Sequence, residues 1–346
     1  MKKGKIILVV CLVIIVIVGA LGVIYTEGLK ATGSSEETCS VVVNQGTTYN
    51  QLLDDLEQQG LIKNKMVAKV YLKLNKVNSL KANSYRLNKS LGTKEIIRIV
   101  SEGDFDYLEK SKLLVQEGLT IPEVASRVAE LTGLSKEEVL TKWQDATYLD
   151  SLISKYWFLD ETIKKPEVKY ALEGYLFPET YLLTNNQPTV EECTEAMLNM
   201  TDQVLTPYKD AIEKRDWSVH EFLSFASVVE REGQKEIDYP KIAGVFMNRL
   251  KKNMKIQSDI TVLYALGRTG VDVSYQDLQV ESKYNTYKYA GLPIGPISNV
   301  SRTVIEACIN YDKNDYIYFY ATPDGEVLYA KTLSEHEKNA KDHPWN

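Results

Sequence analysis

The acid most able to do chemistry in this chain is Glu232. Ser218-Val219-His220-Glu221 has the Ser-x-x-Glu form of a helix capping box, and the apolar run Phe222, Leu223, Phe225, Ala226, Val228, Val229 follows it. At about 100° per residue, Phe222, Phe225, Ala226 and Val229 form one stripe, and Glu232 falls on that same face. Glu230 falls on the flank, where ordinary solvation is expected, and Gly233 follows as the expected C-cap. A carboxyl on an apolar face at the negative end of a helix is pushed towards its neutral form. A carboxylic acid still protonated near neutral pH can protonate a glycosidic oxygen. The bland alternative is that Glu232 only caps the helix or pairs with Arg249 or Lys235.

Other segments carry polar and aromatic groups that could surround such an acid. Asn248-Arg249-Leu250 ends a helix begun at Pro240, and Gln257-Ser258-Asp259 opens another, with Ser258 as its expected N-cap. Tyr284-Asn285-Thr286-Tyr287 precedes the rigid Gly291-Leu292-Pro293-Ile294-Gly295-Pro296-Ile297. Together they supply aromatic faces and amides suited to stacking on sugar rings and bonding their hydroxyls. Leu172 to Tyr181 (LEGYLFPETY) reads as a turn with an aromatic plug.

The elements that must position these residues divide the chain. Ile6 to Tyr25 is about 20 residues without a charge, matching a hydrocarbon core of ~30 Å. Lys2, Lys3 and Lys5 precede it and Glu27 is the first charge beyond. The positive-inside rule therefore keeps residues 1–5 in the cytoplasm and sends the body outside the cell membrane. Residues 26–38, polar and Gly/Ser-containing, read as a tether. Residues 39–104 read strand-helix-helix-strand-helix: a strand at Cys39 to Asn44, helices at Asn50 to Gln59 and Lys65 to Leu74, a strand at Ser84 to Leu87, and a helix from Thr93. This βααβ layout is similar to a LysM-like fold. From residue 105 to 346 the pattern is mainly helical and closes on a hairpin, Tyr316 to Thr322 and Glu326 to Lys331, about Pro323-Asp324-Gly325. The fold class is α+β: a transmembrane helix, a small α+β subdomain, and a mainly helical domain with a C-terminal β-hairpin.

Composition narrows the function. The net charge is −6, or −9 with Lys2, Lys3 and Lys5 set aside, so a nucleic-acid partner is not expected. Cys11, Cys39, Cys193 and Cys308 are widely spread, with no CxxC pair and three His in all. Neither a zinc site nor a disulfide framework is expected, and no cofactor is called for.

The ordered motifs LEGYLFPETY (172–181), ASVVEREG (226–233), FMNRL (246–250), IQSDITVLYALG (256–267), YNTY (284–287), GLPIGPI (291–297), YIYFYATPDGE (316–326) and SEH (334–336) resemble the endolytic murein transglycosylases of the YceG-like family. The resemblance runs from the apolar N-terminal helix to the C-terminus. It implies a single-pass, outward-facing lytic transglycosylase with a LysM-like membrane-proximal subdomain. Such an enzyme acts on peptidoglycan glycan strands beside the wall-synthesis machinery and ends strand growth. The family's catalytic Glu is the second acid of an E-x-E motif, which is Glu232 here. Gly233, Ile294, Asn299-Val300-Ser301 and Leu328-Tyr329-Ala330 depart from the family's usual residues.

A retaining glycosidase needs a second carboxylate about 5–5.5 Å from the acid and an inverting one about 6.5–9.5 Å. No second acid shares the Glu232 face, so a lytic mechanism with one acid/base, giving 1,6-anhydro-MurNAc ends, is expected. Gln257, Ser258 and Asp259 would line the cleft, and Tyr284, Asn285, Thr286 and Tyr287 would hold the sugar. Two alternatives stay open: a lysozyme-like hydrolase that recruits Asp259, and a non-catalytic wall-binding scaffold.

Overall fold

A computed structural model describes residues 2–184, 187–270 and 273–345, with side chains from residue 7 onward. Contacts within the chain gather into two compact units. The first comprises residues 1–111 with 182–188, and the second comprises residues 112–181 with 189–346.

The first unit begins with α1 (Lys2–Gly28), whose Ile7–Gly28 stretch is apolar and long enough to cross a membrane. The helix continues three residues past Tyr25, and the stretch after it is not a free tether. Leu29 is buried, and its carbonyl accepts from Thr93 N–H at 3.0 Å. The N–H groups of Thr32 and Gly33 both donate to the Lys89 carbonyl, and Thr32 Oγ1 donates to the Gly60 carbonyl at 2.7 Å.

Strand β1 (Thr38–Val43) pairs antiparallel with β2 (Asn83–Asn88), Val41 opposite Tyr85. Between them run α2 (Tyr49–Gln58) and α3 (Lys65–Leu74), and α4 (Thr93–Glu102) follows. Every second residue of β1 and the apolar stripes of the helices meet in one core that includes Val41, Val43, Leu53, Leu56, Tyr85 and Ile99. This is the strand-helix-helix-strand-helix order expected from the sequence.

The second unit is mainly helical: α5 (Ile121–Thr132), α6 (Lys136–Lys142), α7 (Ala146–Lys155), α8 (Val190–Leu205), α9 (Lys209–Glu213), α10 (Val219–Glu232), α11 (Tyr239–Lys251), α12 (Asp259–Leu266), α13 (Arg302–Ile309) and α14 (Leu333–Asp342). The boxes at Ser135 and Ser218 form as expected, each Ser oxygen accepting from the backbone N–H three residues on. Two short strands, β3 (Ser111–Leu114) and β4 (Thr180–Leu183), form a two-stranded sheet. The LEGYLFPETY stretch therefore ends in a strand as well as making a turn.

Helix α10 is the axis of this unit. Its residues from Phe222 to Glu230 are all buried, and α11, α12 and α13 pack around it. The hairpin β5 (Tyr318–Ala321) and β6 (Val327–Ala330) is shorter than the periodicity suggested. It lies against α11 and α14, with Phe319 edge-on to Phe246 at 5.6 Å.

Candidate active site

Helix α10 ends at Glu232, and its C-terminus meets the N-terminus of α12. Ser258 stands at the N-cap position of α12, but its hydroxyl caps nothing and donates to Glu232 Oε1 at 2.5 Å. The expectation of a simple capping serine is corrected: the hydroxyl is turned onto the acid. Thr286 explains how. Its Oγ1 accepts from Ser258 N–H at 3.1 Å and shares a hydrogen bond with Thr261 Oγ1 at 2.8 Å, which fixes the start of α12 from outside the helix.

Glu232 is partly buried, and Oε2 takes no protein hydrogen bond among the described residues. Burial pushes its carboxyl up to about 7, and the nearby Asp259 charge adds to that. The Ser258 hydroxyl and the Arg249 guanidinium pull the other way. The acid is therefore held towards its protonated form near neutral pH.

Arg249 is nearly buried, and the last turn of α11 holds it. Nε donates to the Ile317 carbonyl at 2.7 Å and Nη1 to the Ile256 carbonyl at 2.6 Å, while the guanidinium lies over the Tyr318 ring at 5.1 Å. It makes no carboxylate ion pair among the described residues, so the pairing of Glu232 with Arg249 weighed from sequence does not form. The guanidinium supplies fixed positive charge near the acid instead, and burial lowers its own proton affinity.

The other expected cleft residues separate into two groups. Gln257 and Asp259 are exposed beside Ser258, and Gln257 adopts φ 53°, a left-handed conformation that costs a non-glycine residue energy. Tyr287 is half-buried and its hydroxyl donates to Asp259 Oδ1 at 2.7 Å. Burial and that bond raise the phenol's pKa.

Tyr284, Asn285 and Thr286 face the interior. Tyr284 packs on Tyr264 with ring centroids 4.8 Å apart, and its hydroxyl accepts from Lys169 N–H. Asn285 Nδ2 donates to the Leu278 and Val280 carbonyls, and its Oδ1 accepts from Tyr287 N–H. Within this segment Tyr287 is the residue that keeps partial exposure, while the polar groups of Asn285 and Thr286 shape the loop and the start of α12.

Glu230 corrects a second expectation. It is 8% exposed and accepts both the N–H and the hydroxyl of Ser301 at 2.8 Å, which ties α10 to the N-cap of α13. Gly233 is the C-cap of α10, as expected, with its N–H on the Val229 carbonyl and its backbone extended at φ −81°. A Cβ there would stand 2.2 Å from the Tyr239 ring, so glycine is required by close approach.

Glu173 is the acid that sequence reasoning passed over. It is 1% exposed and accepts from Ile121 N–H at 3.0 Å and Tyr264 O–H at 2.9 Å, holding the start of α5 to α12. Burial pushes it up to about 8. An acid set among the apolar and aromatic residues of LEGYLF was the available signal. Gly174 beside it has φ 82°, and a Cβ there would collide with Pro296, which locks the motif to the GLPIGPI loop.

A cavity of about 310 Å³ adjoins these elements, lined by Pro122, Lys169, Tyr170, Arg231, Ile260 and Leu263 among others. Glu232 does not line it, but the residue before Glu232 and the residue after Asp259 do.

The model of the YceG-like family matches residues 41–342. An endolytic murein transglycosylase of Bacillus subtilis (strain 168) is 36% identical over 305 residues, 88% of this chain and 84% of the relative. One of Streptococcus pneumoniae serotype 2 is 35% identical over 331 residues, 91% of this chain and 60% of the longer relative. A crystal structure of a yceG-like protein from Listeria monocytogenes superposes with a TM-score of 0.64 at 37% identity, over 88% of this chain and 99% of that one.

Proposed function

The chain belongs to the YceG-like family, and we propose that it is an endolytic murein transglycosylase in which Glu232 is the single acid/base. The observation that carries this reading is the Glu232 carboxyl: pushed up to about 7, held through Oε1 by Ser258, with Oε2 turned to no protein group among the described residues. Such an acid has a proton to give and a conjugate base able to take one back.

In the first step the Glu232 proton passes to the oxygen between MurNAc and GlcNAc, and the C1–O bond breaks. In the second, the Glu232 carboxylate takes the proton of the MurNAc 6-hydroxyl as that oxygen bonds to C1. A 1,6-anhydro-MurNAc end results and no water is consumed. Positive charge developing at C1 is met by the Glu232 carboxylate and by Asp259, which Tyr287 holds in place. Ser258 fixes the rotamer of the acid. The 310 Å³ cavity beyond Arg231 and Ile260 offers room for a neighbouring part of the strand.

Helix α1 anchors the chain in the cytoplasmic membrane, with Lys2, Lys3 and Lys5 inside and the body outside, where the strands and the wall-synthesis machinery are. Mass spectrometry of digested glycan strands in ¹⁸O-labelled water tests the chemistry. Anhydro ends without label are expected. Reducing ends carrying ¹⁸O, lost in Asp259→Asn, would make the enzyme a hydrolase, and intact strands would make it a scaffold.

A further inference from the structure

Helix α3 carries two features that the proposed reaction does not use. The first is its outward face. Ala68 is buried and Leu72 packs on the core of the first unit, whereas Met66, Val70 and Leu74, spaced one turn apart, are 68%, 44% and 70% exposed. A globular module normally covers three such residues in a row. The second is charge. From Gln58 to Lys94 the sequence has nine Lys and Arg and no Asp or Glu, in a chain whose net charge is −6. Lys65 pairs with Asp54, and Lys89 with Glu37 at 2.8 Å. Lys69 and Lys73, beside the apolar stripe, and Lys76, two residues past the end of α3, make no ion pair among the described residues.

The position of α3 gives these features a direction. Helix α1 packs on α3: a Cβ added at Gly28 would lie 2.9 Å from the Val67 side chain. Leu29, next in the chain, is buried in the module, and its carbonyl is held by Thr93 N–H. No flexible spacer separates the end of the apolar helix from α3. Whatever surface α1 emerges from, α3 lies against its exit.

We propose that α3 lies in the membrane interface, with Met66, Val70 and Leu74 turned into the acyl boundary and Lys69, Lys73 and Lys76 on the anionic phospholipid headgroups of the leaflet facing the body. An apolar stripe flanked by lysines is the pattern of an interfacial helix, and each lysine near such a surface adds attraction that salt screens. The helix then fixes how the first unit stands on the bilayer. The inference rests on the reading of α1 as a membrane span.

The test uses the full chain reconstituted in vesicles. Leu74→Trp places a fluorophore at an exposed position, and its emission is read as the difference from the unsubstituted chain. With phosphatidylglycerol-containing vesicles, a blue shift and quenching by brominated acyl chains are expected. Adding Lys69→Gln, Lys73→Gln and Lys76→Gln should at least halve the quenching, as should vesicles of phosphatidylcholine alone at raised salt. Water-like emission at position 74 in vesicles that carry the chain on flotation overturns the proposal. So does burial of position 74 that is independent of lipid charge and grows with protein density, which would mark a second copy as the occupant. Failure of the chain to float with vesicles instead overturns the reading of α1.

Discussion

Glu232 and Glu173 are both carboxyls drawn out of water, and burial raises both, to about 7 and about 8. Around Glu173 both oxygens are occupied by Ile121 N–H and Tyr264 O–H, and the residue is sealed. Around Glu232 one oxygen is held by one hydroxyl, and the side chain keeps partial exposure. The difference teaches that a raised proton affinity marks burial, and that access with unused bonding capacity is what sets Glu232 apart as the proposed acid. Glu230, buried and bound twice by Ser301, belongs with Glu173 although it lies two residues from Glu232.

Exchanging each acid for its near-isosteric amide tests the contrast most severely. Glu232→Gln should lower strand cleavage by at least ~10²-fold, the low end of what a general acid contributes, with an unchanged melting temperature. Glu173→Gln should leave turnover per folded molecule within a few-fold. Equal loss in both, read by product release and thermal melts side by side, would erase the distinction.

Stability against pH gives the next effect. The raised Glu173 binds its proton in the folded state at pH values where the unfolded chain has released it. Its share of stability is therefore complete below about pH 4.5 and lost as pH rises towards about 8. Denaturant midpoints of Glu173→Gln should fall less over that window than those of the parent chain. Glu173→Ala should cost about 1–3 kcal/mol for each partner left unsatisfied.

The smallest effect sharpens the picture of Glu232. The proposed acid step requires the proton, so cleavage should fall tenfold per pH unit above about 7. The Ser258 hydroxyl favours the anion, so Ser258→Ala should move that limb to higher pH while lowering the maximum rate through a looser rotamer. A limb that stays in place would show that the bond does not reach the titrating acid.

Local patterns were legible wherever neighbours in sequence are neighbours in space. The capping boxes at Ser135 and Ser218, helix α3 at Lys65–Leu74 and the end of α10 at Glu232 before Gly233 all come from local sequence signals and hold in the fold. The failures have one cause. Glu230 was expected in solvent because its partner Ser301 arrives from 71 residues away. Ser258 looked like a cap because Glu232, which takes its hydroxyl, comes from a different helix. The burial of Tyr284, Asn285 and Thr286 was not legible because aromatic and amide groups in a loop carry no sign of which way they face.

The sequence by itself determined the helices, the apolar N-terminal span, and the acid at the end of α10, because each follows from side-chain periodicity and composition within one element. Tertiary structure decided what that acid became. Only the packing of α10 against α12 brought Ser258 to it, only the hairpin and α11 set Arg249 beside it, and only the loop pinned by Asn285 aimed Tyr287 at Asp259. Proton affinity depends on what lies within a few ångströms in every direction, and a sequence states that distance only along the chain.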